Sequence, residues 1–292
     1  MANFLERLNQ ADVLVADGAT GTMLQKAGLP QGMPPERWNL ENPDAVRALY
    51  GAYIDAGADI ILTNTFGGSP VRLDRDGLRQ QCAAINQAAA RLARQVAGKE
   101  TIVFGDIGPT GQLLEPAGAL GYADAVNGFA EQAAALADGG VDALLIETMS
   151  DVNEARAAIE GAKKATALPV VVSFSFDTRG RTMMGLKPAA AVREAWSLGV
   201  AAVGANCGRT LTETLAAIQE MHQAMPQAVL MAKPNAGLPH AAGDDLVYDV
   251  TPEIMADYAR QFAEEGVKIF GGCCGSTPEH IRAIAKTLKH AR

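Results

Sequence analysis

The 292-residue sequence has no apolar run of 18 residues, so no membrane-spanning helix is expected. Its first residues, MANFLERLNQADVL, carry no apolar core followed by a small-residue cleavage site, so no secretory signal is expected and the cytoplasm is the expected setting. Positive charge is in deficit: 25 Lys and Arg against 33 Asp and Glu leave a net charge of −8. That balance argues against nucleic acid or an anionic membrane as partner, while leaving a small anionic ligand open. There is no charge run, low-complexity stretch or internal linker, so one domain over residues 1–292 is expected. The four histidines supply no spaced metal-ligand set: His222, His240 and His290 are scattered, and His280 is expected to cap a helix or support neighbours. Cysteine is also sparse, at four residues, and thiols in a reducing compartment serve metals or catalysis more often than disulfides.

What is present is a repeating pattern. Hydrophobic residues make up 48% of the chain and charged residues 20%, enough for a substantial core. Short aliphatic runs at 13–17, 59–63, 101–106, 141–147, 169–176, 200–206, 228–233 and 267–272 show little polar alternation, as parallel strands covered on both sides do. Amphipathic, Ala-rich segments near 42–56, 78–98, 121–139, 151–166, 187–198, 210–224, 251–265 and 277–289 follow them. Helix starts are signalled at Asn42-Pro43, Ser150-Asp151, Lys187-Pro188, Thr251-Pro252 and Thr277-Pro278. Eight alternating units predict an α/β fold, a single (β/α)8 TIM-type barrel; a doubly wound open sheet is the competing arrangement. A barrel works at the C-terminal ends of its strands, and here those ends are rich in glycine and polar residues.

Cys207 closes the sixth aliphatic run, and the adjacent pair Cys273-Cys274 closes the eighth. Neighbouring residues of a regular strand face opposite ways, but Gly271, Gly272 and Gly275 let the chain turn both sulfurs to one side. Three converging thiolates form a soft metal site, best suited to Zn2+, with a fourth position left for substrate. Buried thiols, or a vicinal disulfide, are the alternatives on these residues alone. Cys82 lies in a helical segment and is expected in the core.

The segments DGATGTML at 17–24, NTFG at 64–67, GDIGP at 105–109, ETM at 147–149, GANCG at 204–208, KPNAG at 233–237 and GGCCGSTPEHI at 271–281 resemble those of the zinc-dependent homocysteine S-methyltransferases. The resemblance runs in order through nearly the whole chain and is closest to the homocysteine-binding module of cobalamin-dependent methionine synthase. It implies that Cys207, Cys273 and Cys274 hold Zn2+ and that the homocysteine sulfur becomes the fourth ligand. It also implies that Glu147 pairs with the substrate ammonium. A free thiol has a pKa of roughly 8.5, so metal coordination would supply the thiolate that methyl transfer needs. No protein side chain is then required as nucleophile.

Asp17 and the backbone of Gly18, Ala19 and Thr20 suit the amino-acid end of that substrate. Asn235 is a candidate temporary oxygen ligand when substrate is absent. Asn64, Thr65 and Asp106 are candidates for orienting substrate or bracing the site. The methyl donor stays open between a methylated corrinoid protein and S-methylmethionine or S-adenosylmethionine. The chain ends at Arg292, soon after the eighth helix, which leads us to expect none of the folate- or cobalamin-binding modules of full-length methionine synthase. The alternative reading is a zinc- and homocysteine-binding or sensory barrel that does no chemistry.

Overall fold

A computed structural model describes residues 4–242 and 245–289. All eight expected strands form: β1 (Leu14–Val15), β2 (Ile60–Leu62), β3 (Ile102–Ile107), β4 (Ala143–Met149), β5 (Val170–Phe174), β6 (Ala202–Cys207), β7 (Leu230–Pro234) and, after a hairpin of β8 (Pro239–Ala242) and β9 (Asp245–Tyr248), β10 (Val267–Phe270). The parallel order is β1-β10-β7-β6-β5-β4-β3-β2, and a parallel bridge between Ala16 and Ile60 joins the two ends. The sheet is therefore a (β/α)8 barrel rather than an open doubly wound sheet. The eight expected helices are present with ends within a few residues of those read from the pattern.

The strand alternation explains the core. Leu14, Ile60, Phe104, Leu145, Val171 and Ile269 belong to the cluster that fills the barrel, whereas Val15, Ile61, Val103, Leu144, Val172 and Phe270 belong to the cluster between strands and helices. Helix Phe4–Gln10 covers the N-terminal end of the barrel: Phe4 meets Phe104 edge-on at 4.9 Å, and Arg7 Nη1 donates to the Glu100 carbonyl. Proline begins helices Pro43–Asp55, Pro188–Ser197, Pro252–Glu264 and Pro278–Lys289, where its missing N–H costs nothing. Thr210 and Thr251 add side-chain caps to helices Leu211–Ala224 and Pro252–Glu264.

The same alternation carries upward to the site. The inward-facing series of β3 continues to Asp106, that of β4 to Glu147, that of β7 to Lys233 and that of β10 to Cys273. The bottom of the barrel is thus apolar, and its top layer is charged and sulfur-bearing.

Candidate metal and substrate site

Cys207 and the Cys273-Cys274 pair flank β7, because β6 and β10 are its two neighbours in the barrel. Cys273 N–H donates to the Pro234 carbonyl at 2.8 Å, and Ala236 N–H donates to the Cys274 carbonyl at 2.9 Å. These bonds seat the post-β10 turn against the end of β7. One ligand atom from each of the three cysteines lies within 4.8 Å of the others, and all three side chains are half-buried. Cys207 and Cys273 are 3.0 Å apart, sulfur to sulfur. Cys207 is held at φ 55°, a left-handed conformation that a non-glycine residue adopts only when its surroundings impose it.

Asn206, directly beneath, supplies part of that constraint. Its Oδ1 accepts from Thr148 N–H at 2.8 Å and from Ser173 Oγ at 2.7 Å, while its Nδ2 donates to Thr148 Oγ1 at 2.7 Å. One buried amide thereby ties β4, β5 and β6 together at the cysteine level. Hydrogen bonds from Cys207 and Cys273 pull the Cys274 thiol below its ordinary pKa. The Cys207 thiol is pushed up by its hydrogen bonds to Cys273 and Cys274, and then by burial. Three soft donors, half-buried and pre-positioned by backbone bonds, fit a thiophilic cation.

Below and beside the sulfurs lie three carboxylates and one ammonium. Lys233 Nζ donates to Asp17 Oδ1 at 3.1 Å, with the Lys233 side chain 3% exposed and that of Asp17 1%. The second Asp17 oxygen, Oδ2, accepts from Leu62 N–H at 2.7 Å. Burial alone would lower the Lys233 pKa, but attraction to Asp17, Glu147, Cys273 and Asp106 raises it instead. Asp106 Oδ1 and Glu147 Oε2 are buried with no hydrogen-bond partner. Burial pushes the Glu147 carboxyl up to about 8, opposed by Lys233 and reinforced by Cys273 and Asp17. Asp106 is raised by burial and then by Glu147. Unpartnered carboxylate oxygens in a buried wall ask for a donor from a ligand.

The three cysteines, Lys233, Asp106 and Glu147 line one cavity of about 620 Å³ at the C-terminal mouth of the barrel, with Asp17 behind Lys233. Gly18 is there for lack of space: a Cβ would lie 2.8 Å from Tyr53 Oη and 3.0 Å from the Ser276 carbonyl. Ala19 N–H is committed to the Ser276 carbonyl at 3.1 Å, so the free donors of this loop are the N–H groups of Gly18 and Thr20. Asn64 and Thr65 also face the cavity with most of their polar groups committed, the Asn64 Oδ1 alone lacking a partner. Asn64 Nδ2 donates to the Pro35 carbonyl and to Asn39 Oδ1, and Thr65 Oγ1 donates to the Asp106 carbonyl. Asn235 Nδ2 donates to the Gly208 carbonyl at 2.8 Å, leaving a buried Oδ1 without a partner.

The family description of homocysteine S-methyltransferase matches residues 14–288. The chain belongs to the homocysteine S-methyltransferase family. It is 34% identical to the methionine synthase of Mycobacterium leprae (strain TN) over 98% of its own length and 25% of the relative's. It is 32% identical to that of Mycobacterium tuberculosis (strain ATCC 25618 / H37Rv), over 99% of this chain and 26% of that one. The chain thus spans about a quarter of the length of these curated relatives. Among solved structures, the metallated form of the Escherichia coli homocysteine methyltransferase MmuM superposes with a TM-score of 0.82 at 25% identity, covering 96% of this chain and 98% of that one.

Other residues at this site escaped the sequence reading. Lys233 sits in a quoted segment, but nothing in a single sequence distinguishes a buried lysine at a strand end from a solvated one. Asn206, beside Cys207, was hidden in the same way. Tyr248 ends the β8-β9 hairpin and lies over the cysteines: a Cβ on Gly275 would collide with its ring, and burial followed by the nearby sulfurs raises its pKa to about 12. His280 behaves as a cap, with Nδ1 3.2 Å from Thr277 N–H and Nε2 2.8 Å from the Val250 carbonyl. Cys82 is buried, its Sγ 3.3 Å from the Gly68 carbonyl. His290 lies outside the described residues. No described helix is long and apolar enough to cross a membrane.

Proposed function

We propose that this chain methylates homocysteine to methionine at a Zn2+ held by Cys207, Cys273 and Cys274. The observation that carries the reading is the meeting, in one cavity, of three sulfurs within 4.8 Å of one another and two buried, unpartnered carboxylate oxygens. When bound, zinc supplies Lewis acidity that replaces the thiol proton of homocysteine, leaving a thiolate at neutral pH.

The chain's own groups would then do the holding. Glu147 and Asp106 accept the substrate ammonium with their free oxygens. Gly18 and Thr20 N–H groups meet its carboxylate. Lys233 keeps Asp17 fixed, so Asp17 shapes the cradle more than it binds. The Asn235 amide oxygen is the group available to occupy the fourth metal position before homocysteine arrives, since it is buried and unpartnered. Fixing both ends of the amino acid aims the sulfur at the mouth. The new S–CH3 bond forms as the bond from carbon to the donor's leaving group breaks, and that group departs with the electron pair through the open mouth.

The donor, a methylated corrinoid or a sulfonium such as S-methylmethionine or S-adenosylmethionine, approaches past the loops after β2, β3, β5 and β7. Those loops expose Phe66, Leu113, Met183 and Leu238, an apolar rim that tolerates a bulky donor. Methionine formation from homocysteine by the zinc-loaded chain, measured across these donors and betaine, tests the proposal. Homocysteine binding without turnover for every donor would favour the non-catalytic alternative, and no homocysteine binding would end both.

The Glu147 assignment gives a pH prediction. Its carboxyl, pushed up to about 8 in the free site, must ionise to hold an ammonium, so binding releases a proton. Affinity for methionine, which has no thiol proton to lose, should therefore rise from pH 6 toward pH 8 by up to about tenfold per unit and then level. Titration calorimetry of Glu147→Gln should show weaker binding and a flatter profile. An unchanged slope in that variant would remove Glu147 from the ammonium site.

A further inference from the structure

The mouth holds a pair of positive charges that neither the metal nor the amino-acid cradle uses. Arg72, half-buried on helix Pro70–Asp74, and the exposed Arg75 just after it both line the same cavity as the cysteines. Their guanidinium tips converge on one face of Gly111, in the loop after β3. A Cβ at that position would collide with Arg72 Nη1 and lie 3.2 Å from Arg75 Nη1. Gly111 also has φ 73°, so its lack of a side chain meets both the backbone and the space requirement.

Among the described residues, no carboxylate oxygen lies within 4.0 Å of either guanidinium. Glu36 is close enough to feel Arg72, but its Oε1 is committed to Gly67 N–H at 2.6 Å. Asp76 lines the cavity without reaching either tip. Two guanidinium groups gathered with no carboxylate in contact keep their donors open to an anion. Their planar donor forks match carboxylate and phosphate oxygens.

We propose that Arg72 and Arg75 form an oxyanion site that holds the anionic group of the methyl donor; this rests on the methyl-transfer reading for what the site serves. The shared chemistry is an oxyanion, which is a carboxylate on an amino-acid sulfonium and a phosphodiester on a complete corrinoid. The site sits on the β2 and β3 loops, apart from the Glu147 and Asp106 oxygens that await the acceptor. An arginine pair would repel the methyl-bearing sulfonium itself, so it would hold such a donor by its far end and leave the methyl group directed inward.

The test compares the zinc-loaded wild type with the Arg72→Met/Arg75→Met double variant, using inorganic phosphate as a direct probe. Phosphate should bind the wild type and lose about tenfold or more in affinity in the variant, with homocysteine affinity and metal content unchanged. The donor arms are methylcobalamin against methylcobinamide, which lacks the phosphodiester, and S-methylmethionine against its carboxamide. The charged member of the pair that uses the site should show a KM raised about tenfold in the variant with kcat within about twofold, and its neutral counterpart no change. The Arg72→Lys/Arg75→Lys variant should recover part of the loss. Equal phosphate affinity in wild type and double variant, or equal KM changes for charged and neutral donors, would overturn the proposal. Arginine-dependent phosphate binding with no turnover from any donor would uphold the oxyanion site while removing the methyl-transfer reading.

Discussion

Replacing Cys207 by alanine is expected to abolish tight metal binding and methyl transfer together while leaving the barrel folded. The substitution removes one of three sulfur donors and one of the two hydrogen bonds that lower the Cys274 pKa. Two soft donors cannot hold the ion firmly, and without it the homocysteine thiol is mostly protonated at neutral pH. The loss of activation and positioning together should lower the rate by at least about a thousandfold. Stability should change little, by about 1 kcal/mol, because Cys207 is half-buried at a strand end outside both principal apolar clusters. Alanine inherits the same unfavourable φ of 55°, whereas Cys207→Gly would relieve it and should be at least as stable. Metal analysis, circular dichroism and turnover on the same preparation check the set. Full metal content in the alanine variant would show that Cys207 is not a ligand.

The parts of this protein that follow from local pattern were legible in its sequence. Eight buried strands announce themselves because the barrel covers both faces of each, giving unbroken aliphatic runs such as Ala143–Ile146. Helix starts are fixed by proline and capping chemistry within a residue or two. The cysteine cluster was readable because its residues terminate two such runs and glycines surround the pair. The elements that escaped are those whose existence depends on tertiary contacts. Helix Gly21–Lys26 and the β8-β9 hairpin are too short to carry a period, and Tyr248 reaches the cysteines only through that hairpin. Strand position also cannot tell which polar groups are already satisfied. Asn64, Thr65 and Asp106 looked alike as strand-end residues, yet of the three only Asp106 keeps a buried oxygen without a partner. Lys233 was invisible for the same reason, since its partner Asp17 is 216 residues away in the chain.

That long-range pair carries the second large prediction. Lys233→Met keeps most of the side-chain volume but withdraws the ammonium that Asp17, Glu147, Asp106 and Cys273 all attract. Asp17 would then be a buried carboxylate supported only by Leu62 N–H, with two further buried carboxyls nearby. Removing one partner of a buried ion pair costs about 3–5 kcal/mol, a large share of an ordinary domain's stability. For a barrel of this size the melting temperature should fall by roughly 10 °C. A generic packing defect would give a similar drop, so the decisive variant is the double one. Asp17→Asn keeps an oxygen to accept from Leu62 N–H and removes the charge that needs Lys233. If the pair is the cause, Lys233→Met/Asp17→Asn should be more stable than Lys233→Met alone by about 2 kcal/mol. Additive losses across that cycle would mean that Lys233 holds the mouth by packing and not by charge. Charge coupling would instead make Lys233 the group that lets a wall of carboxylates stay buried, with Asp106 and Glu147 oxygens still free to take the ammonium of the amino acid.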